Sequence, residues 1–121
     1  MWATDAEVMP TALTEPDPRL RIGDGLPIAE AVLDNAFTGW QRQATIFWPE
    51  RNARLTIDAD SPLDFLVDYS PAGEDFFCAE PVSHCTDAFN LAAQGRDDTG
   101  MLTLQSGANL SATVRFRPSL V

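Results

Sequence analysis

Residues 63–69 read Leu63-Asp64-Phe65-Leu66-Val67-Asp68-Tyr69, with Leu63, Phe65, Val67 and Tyr69 at every second place and Asp64 and Asp68 between them. A period of two puts alternate side chains on opposite faces of an extended chain. The apolar set is therefore predicted to face a core and the two aspartates to face water. The same rhythm recurs on both sides of this stretch. Residues 45–48 place Ile46 and Trp48 together, and residues 54–59 repeat the pattern with Leu55 and Ile57. Residues 110–116 alternate Leu110, Ala112, Val114 and Phe116 with Ser111, Thr113 and Arg115, and residues 75–80 and 100–104 are shorter candidates. Each run is of ordinary strand length.

Turn chemistry separates the runs: Pro49-Glu50-Arg51-Asn52, Asp60-Ser61-Pro62, Ser70-Pro71-Ala72-Gly73 and Ser106-Gly107-Ala108-Asn109. Helical patterning is scarce. Its best candidate, residues 26–33, carries Pro27 and is short enough for a turn at most. Residues 14–26, with Pro16, Pro18, Gly23 and Gly25, read as an irregular surface connection. Short strands at regular intervals with no helices between them predict an all-β chain, an antiparallel β-sandwich or barrel. The opening residues 2–8 also read as a strand, as though the chain began inside a β pattern.

With 121 residues, 45% hydrophobic and 21% charged, the chain is sized and composed for one globular domain. No apolar run approaches the ~20 residues that span a bilayer, and no basic leader precedes an apolar stretch. The expected location is the cytoplasm. Eighteen acidic residues face eight basic ones, all arginines, for a formal charge of -10. Such a field repels phosphate backbones and anionic lipids, so neither nucleic acid nor membrane is an expected partner, while a neutral sugar is unaffected. Cys78 and Cys85, six residues apart, match neither a redox pair nor a zinc half-site, and both are expected as reduced thiols. With His84 the single histidine, no metal and no cofactor is expected.

Two segments could carry chemistry. In Phe76-Phe77-Cys78-Ala79-Glu80-Pro81-Val82-Ser83-His84, strand parity puts Glu80 on the face of Phe76 and Cys78. A carboxylate on an apolar face is costly unless paired, and desolvation makes it a better base. Composition alone favours the blander outcome, with the strand ending at Ala79 and Glu80 in solvent. A lone histidine after a proline turn is likewise more often a surface residue than a catalyst. Ser83, His84 and Asp87 lie too close in sequence for a hydrolase triad, and no GxSxG elbow is present. In the second segment, Leu33-Asp34-Asn35-Ala36-Phe37-Thr38-Gly39-Trp40, carboxylate and amide stand beside aromatic rings, the mixture that binds sugar hydroxyls and C–H faces. An Asx turn with two core aromatics fits those residues equally well.

Together the two segments resemble the aldose 1-epimerase (galactose mutarotase) family. The stretch Phe77-Cys78-Ala79-Glu80-Pro81-Val82-Ser83-His84 followed by Asp87-Ala88-Phe89-Asn90 is similar to the family's block around its catalytic glutamate. Leu33-Asp34-Asn35-Ala36-Phe37 resembles a second block that contributes to the sugar pocket. The resemblance covers essentially the whole chain.

This likeness implies a β-sandwich, part of a galactose mutarotase-like supersandwich, that interconverts the α and β anomers of free aldohexoses such as galactose and glucose. Glu80 matches the general base. Asp34 matches the aspartate that hydrogen-bonds sugar hydroxyls, with Asn35 and Phe37 as further substrate-binding candidates. Family members are more than twice as long, and their acid histidine, a second pocket histidine and a substrate-binding arginine lie in an N-terminal half that has no counterpart here. Residues 1–121 are therefore expected to be a single partial domain, the C-terminal part of such a sandwich, with an incomplete site. The uncovered sheet edges should then lead it to self-associate or to need its missing half. A non-catalytic carbohydrate-binding sandwich and a truncated remnant are the competing outcomes.

Overall fold

A computed structural model gives the coordinates of residues 1–121. Eight strands appear in chain order: β1 (Trp2–Thr4), β2 (Pro10–Leu13), β3 (Leu33–Phe37), β4 (Gln43–Trp48), β5 (Ala53–Ala59), β6 (Phe65–Ser70), β7 (Cys78–Val82) and β8 (Val114–Leu120). The one α-helix, α1, spans Ala88–Ala93. β1 and β2 form a hairpin, and the other strands form two three-stranded sheets, ordered β3-β6-β7 and β4-β5-β8, with every pairing antiparallel. The chain is an all-β sandwich, as the period-two runs predict.

Cross-strand partners share a face, so the register assigns every side chain in the first sheet. Asp34 stands opposite Tyr69 and Tyr69 opposite Cys78, while Ala36 stands opposite Val67 and Val67 opposite Glu80. These residues, with Phe65 and Val82, make one face of the sheet. Trp2, Cys85, Ala88 and Leu91 pack onto Ala36 and Phe65 there, with Val67 and Val82 at the margin. The opposite face carries Leu33, Asn35 and Phe37. Leu33 and Phe37 are covered by Leu20, Ile22 and Leu26 from the irregular connection. That connection is thus an apolar cover folded into three 3-10 turns, Pro18–Leu20, Ile22–Asp24 and Ile28–Glu30, and not merely a surface path.

Being central, β6 is buried on both faces, and one sequence expectation fails for that reason. Asp68, assigned by alternation to water, is 6% exposed. The Ser70 hydroxyl donates to its carboxylate at 2.5 Å. Burial nevertheless raises the Asp68 carboxyl above its ordinary range, with the Ser70 hydrogen bond opposing. A folded-state pKa above the unfolded one means that the native chain holds this proton longer. The stability it contributes is present below the unfolded pKa and is lost as pH rises through the folded one. Asp68→Asn keeps an acceptor for Ser70 and removes the titration. In paired urea melts the variant is expected to gain on wild type as pH is raised from the acid side to neutrality; a constant difference would contradict this.

Three further strand expectations shift. Residues 100–104 form no strand, because Gly100 turns the chain at φ 76. The last strand begins at Val114, not Leu110, since the ladder on β5 starts only where Asp60 N–H donates to the Thr113 carbonyl at 3.0 Å. The first ends at Thr4, where the Asp5 carboxylate accepts from the Glu7 and Met9 amides at 3.0 and 2.9 Å and closes a turn.

The second sheet is partly uncovered. Its apolar face runs through Ile46, Trp48, Leu55, Ile57, Phe116, Pro118 and Leu120. Ile57 is buried, whereas on the outer strand β8 Phe116 is 62% and Leu120 86% exposed. The accessible surface is 8059 Å² for 13.2 kDa, against about 6,400 Å² for a compact monomer of that mass. The rungs Asn52–Val121 and Asp60–Thr113 carry the hydrogen bonds between β5 and β8. Hydrogen-bonded rungs alternate, so Pro118, opposite Leu55, sits on a non-bonded rung with its nitrogen turned to the free edge. No helix is long and apolar enough to cross a membrane.

Candidate active site

Asp34 and Glu80, 46 residues apart in sequence, line one cleft of about 680 Å³. They reach it from the two outer strands of the β3-β6-β7 sheet, two rungs apart and on the same face. Two strand spacings separate them laterally, roughly 9–10 Å. The floor between them is Val67 and Tyr69 of β6, and the wall is the turn after β7, which brings Ser83, His84 and Thr86. Volumes of this size hold small-molecule ligands. Pro81 follows Glu80 directly and is tolerated because β7 is an edge strand.

The cleft is open. Glu80 and Asp34 are both exposed, so the dry apolar setting that strand parity predicts for Glu80 is not formed. Glu80 does share its face with Cys78, but it stands where the hydrophobic layer ends. All five ion pairs of the chain use other carboxylates: Asp17, Asp58, Asp60, Asp64 and Asp98. Asp34 and Glu80 therefore keep their acceptor oxygens for a ligand or for water. Behind them Cys85 is a buried thiol, pushed above its ordinary range by that burial. Both cysteines are free.

Asn35 and Phe37 do not join this cleft. Asn35 lies on the opposite face of β3; its amide donates to the Trp2 carbonyl at 3.0 Å and its carbonyl accepts from the Asp34 N–H at 3.3 Å. Phe37 is buried beside Ala31 and Leu33 and borders a separate cavity with Trp40. An odd spacing along a strand reverses the face, so the aspartate and the phenylalanine three residues on cannot both serve one surface of the sheet. Tyr69 and His84 are the cleft residues that sequence reasoning did not assign. Parity held the signal for Tyr69, while His84 depends on a turn that periodicity does not describe.

That turn is held from two sides. The Ser83 hydroxyl lies 2.8 Å from His84 Nδ1, and the imidazole stacks on Phe89 with centroids 5.7 Å apart. Phe89 projects from the outer side of α1, whose inner side packs Ala88 and Leu91 into the core. The cleft is thus framed by one sheet and the turn after β7, and that turn rests on a short helix anchored by the same apolar cluster.

The antiparallel sandwich thus carries two carboxylates outside its ion pairs on one open cleft. Residues 1–117 match the family described as aldose 1-epimerase. The chain belongs to that family. It is also similar to the uncharacterized protein YphB of Escherichia coli (strain K12), 26% identical over 98 residues, which cover 75% of this chain and 32% of that protein. The chain thus spans about a third of the length of this relative. No solved structure matches it.

Proposed function

We propose that the chain acts as an aldose 1-epimerase on free aldohexoses of the galactose and glucose type, with Glu80 as general base and Asp34 holding sugar hydroxyls. The observation that supports this is the convergence of Asp34 and Glu80 on one cleft, on one face of one sheet. Family membership supports the reaction class. In the proposed reaction the Glu80 carboxylate takes the proton of the anomeric hydroxyl. The bond between C1 and the ring oxygen then breaks, and the ring oxygen takes a proton. Rotation about C1–C2 and the reverse steps close the ring on the other face of the aldehyde. The resemblance implies that this second proton comes from the family's histidine block, which is not among these 121 residues.

Polarimetry of freshly dissolved α-galactose with the purified chain tests the reading. Acceleration over buffer is expected, with a loss of about 10²-fold or more in Glu80→Gln. An accelerated rate unchanged in that variant would remove Glu80 as the base. The open setting of Glu80 favours one second reading, a sugar-binding sandwich without turnover. Galactose binding seen by tryptophan fluorescence, with no anomerisation, would select it.

A further inference from the structure

We infer that the chain has a second ligand site, for an organic cation with an apolar body, in the cavity between the end of β4 and the connection from β6 to β7. This cavity measures about 400 Å³ and shares no lining residue with the cleft of Asp34 and Glu80. Three aromatic side chains line it: Trp48, the last residue of β4, with Phe76 and Phe77 of the connection. Ile28 of the third 3-10 turn adds an aliphatic wall. Glu74 and Asp75 of the same connection line the same space. Trp48 and Phe77 are half-buried, and Phe76, although 50% exposed, leans on Tyr69 with ring centroids 6.2 Å apart.

The lining selects its ligand by charge. Every basic residue of the chain is an arginine, and none lines this cavity. Neither Glu74 nor Asp75 takes part in any of the five ion pairs. The chain's own cation–π contact is elsewhere, Arg96 over Trp2. A ligand therefore meets two uncompensated carboxylates and three aromatic side chains, whose faces carry the negative side of the ring quadrupole. An anion is repelled there, and the net charge of -10 reinforces that repulsion. A small metal ion gives up its water only to several ligands at once, and no group of three acidic, histidine or cysteine side chains is placed to supply them. An alkylated ammonium is weakly hydrated and carries its own apolar surface. It satisfies the carboxylates and the rings together. The site stands whether or not the cleft turns over a sugar.

Calorimetric titration with choline, a soluble quaternary ammonium, and with its uncharged carbon isostere, dimethylbutanol, tests the assignment. Wild type is compared with Phe76→Leu and with the double variant Glu74→Gln, Asp75→Asn. All three side chains are exposed, and urea melts check that the variants fold. Choline is expected to bind saturably and at least about fivefold more tightly than the isostere. Each variant is expected to weaken choline by about threefold or more, with the isostere unchanged in the double variant. Equal affinity for choline and the isostere would overturn the inference, leaving a plain apolar hollow. Choline binding that neither variant alters would overturn it too, because the cation would then be held elsewhere on the acidic surface. Absence of choline binding to the wild type would end it outright. Galactose enters none of these outcomes, so they are read independently of the epimerase reaction.

Discussion

Gly100→Ala is expected to lower the stability of the chain by roughly 2–5 kcal/mol, the largest loss from adding a single carbon. Two effects combine. Gly100 has φ 76, a conformation that costs an L-residue about 1–2 kcal/mol. A Cβ at this position would also run into the Ser83 carbonyl oxygen and the Phe65 ring, with the His84 Cα only 3.0 Å away. Neither the backbone oxygen nor a core ring can yield cheaply, and overpacking of this kind costs about 1–3 kcal/mol. Gly73 supplies the control. Its φ of 80 is equivalent, yet nothing lies within 4 Å of its Cβ position. Gly73→Ala should therefore show the backbone cost alone. Urea melts of both variants measure the difference, and equal losses would show that the contact is relieved without cost. Because the obstructed atoms belong to the turn that carries His84, residual folded Gly100→Ala should also have a disturbed cleft.

Trp2→Ala should cost about 3–5 kcal/mol, the usual range for emptying a large aromatic site. Trp2 is 1% exposed and joins β1 to the cluster of Ala36, Phe65, Cys85, Ala88 and Leu91. The Arg96 guanidinium lies 4.7 Å from its ring centroid, and its backbone carbonyl accepts from Asn35. Its indole Nε1, however, has no hydrogen-bond partner. An unsatisfied buried donor costs about 1–3 kcal/mol, so Trp2→Phe removes a penalty along with some packing. Thermal melts should place Trp2→Phe much nearer to wild type than Trp2→Ala. Equal losses in the two would mean that ring size and cation contact, not the apolar seat, dominate at this position.

Where one face of a strand is plainly apolar, the sequence was sufficient. β4 and β5 lie where Ile46, Trp48, Leu55 and Ile57 predict. Alternation failed where it met tertiary context. Asp68 is polar by pattern but central by topology, and only the sheet order reveals that its side chain is enclosed. β8 could not be bounded from its own residues because its start is set by where β5 ends. α1 is too short for a helical period to register, with only Ala88 and Leu91 facing the core. In the candidate site, Glu80 and Asp34 were singled out through the resemblance to family blocks and not through periodicity. Their meeting is a property of register across three strands. Phe37 and Asn35 were misplaced relative to Asp34 for the simplest reason: once residues 33–37 are a strand, parity separates them.

The outward-turned nitrogen of Pro118 limits how the bare side of β8 can ever be used. Fibre growth and strand donation both need an unbroken row of amide donors, repeated every ~4.8 Å, and here the row has a gap. Phe116 and Leu120 can still be covered from above by side chains laid across them. The bare strand is thus a poor template for another ply, however apolar the surface beside it.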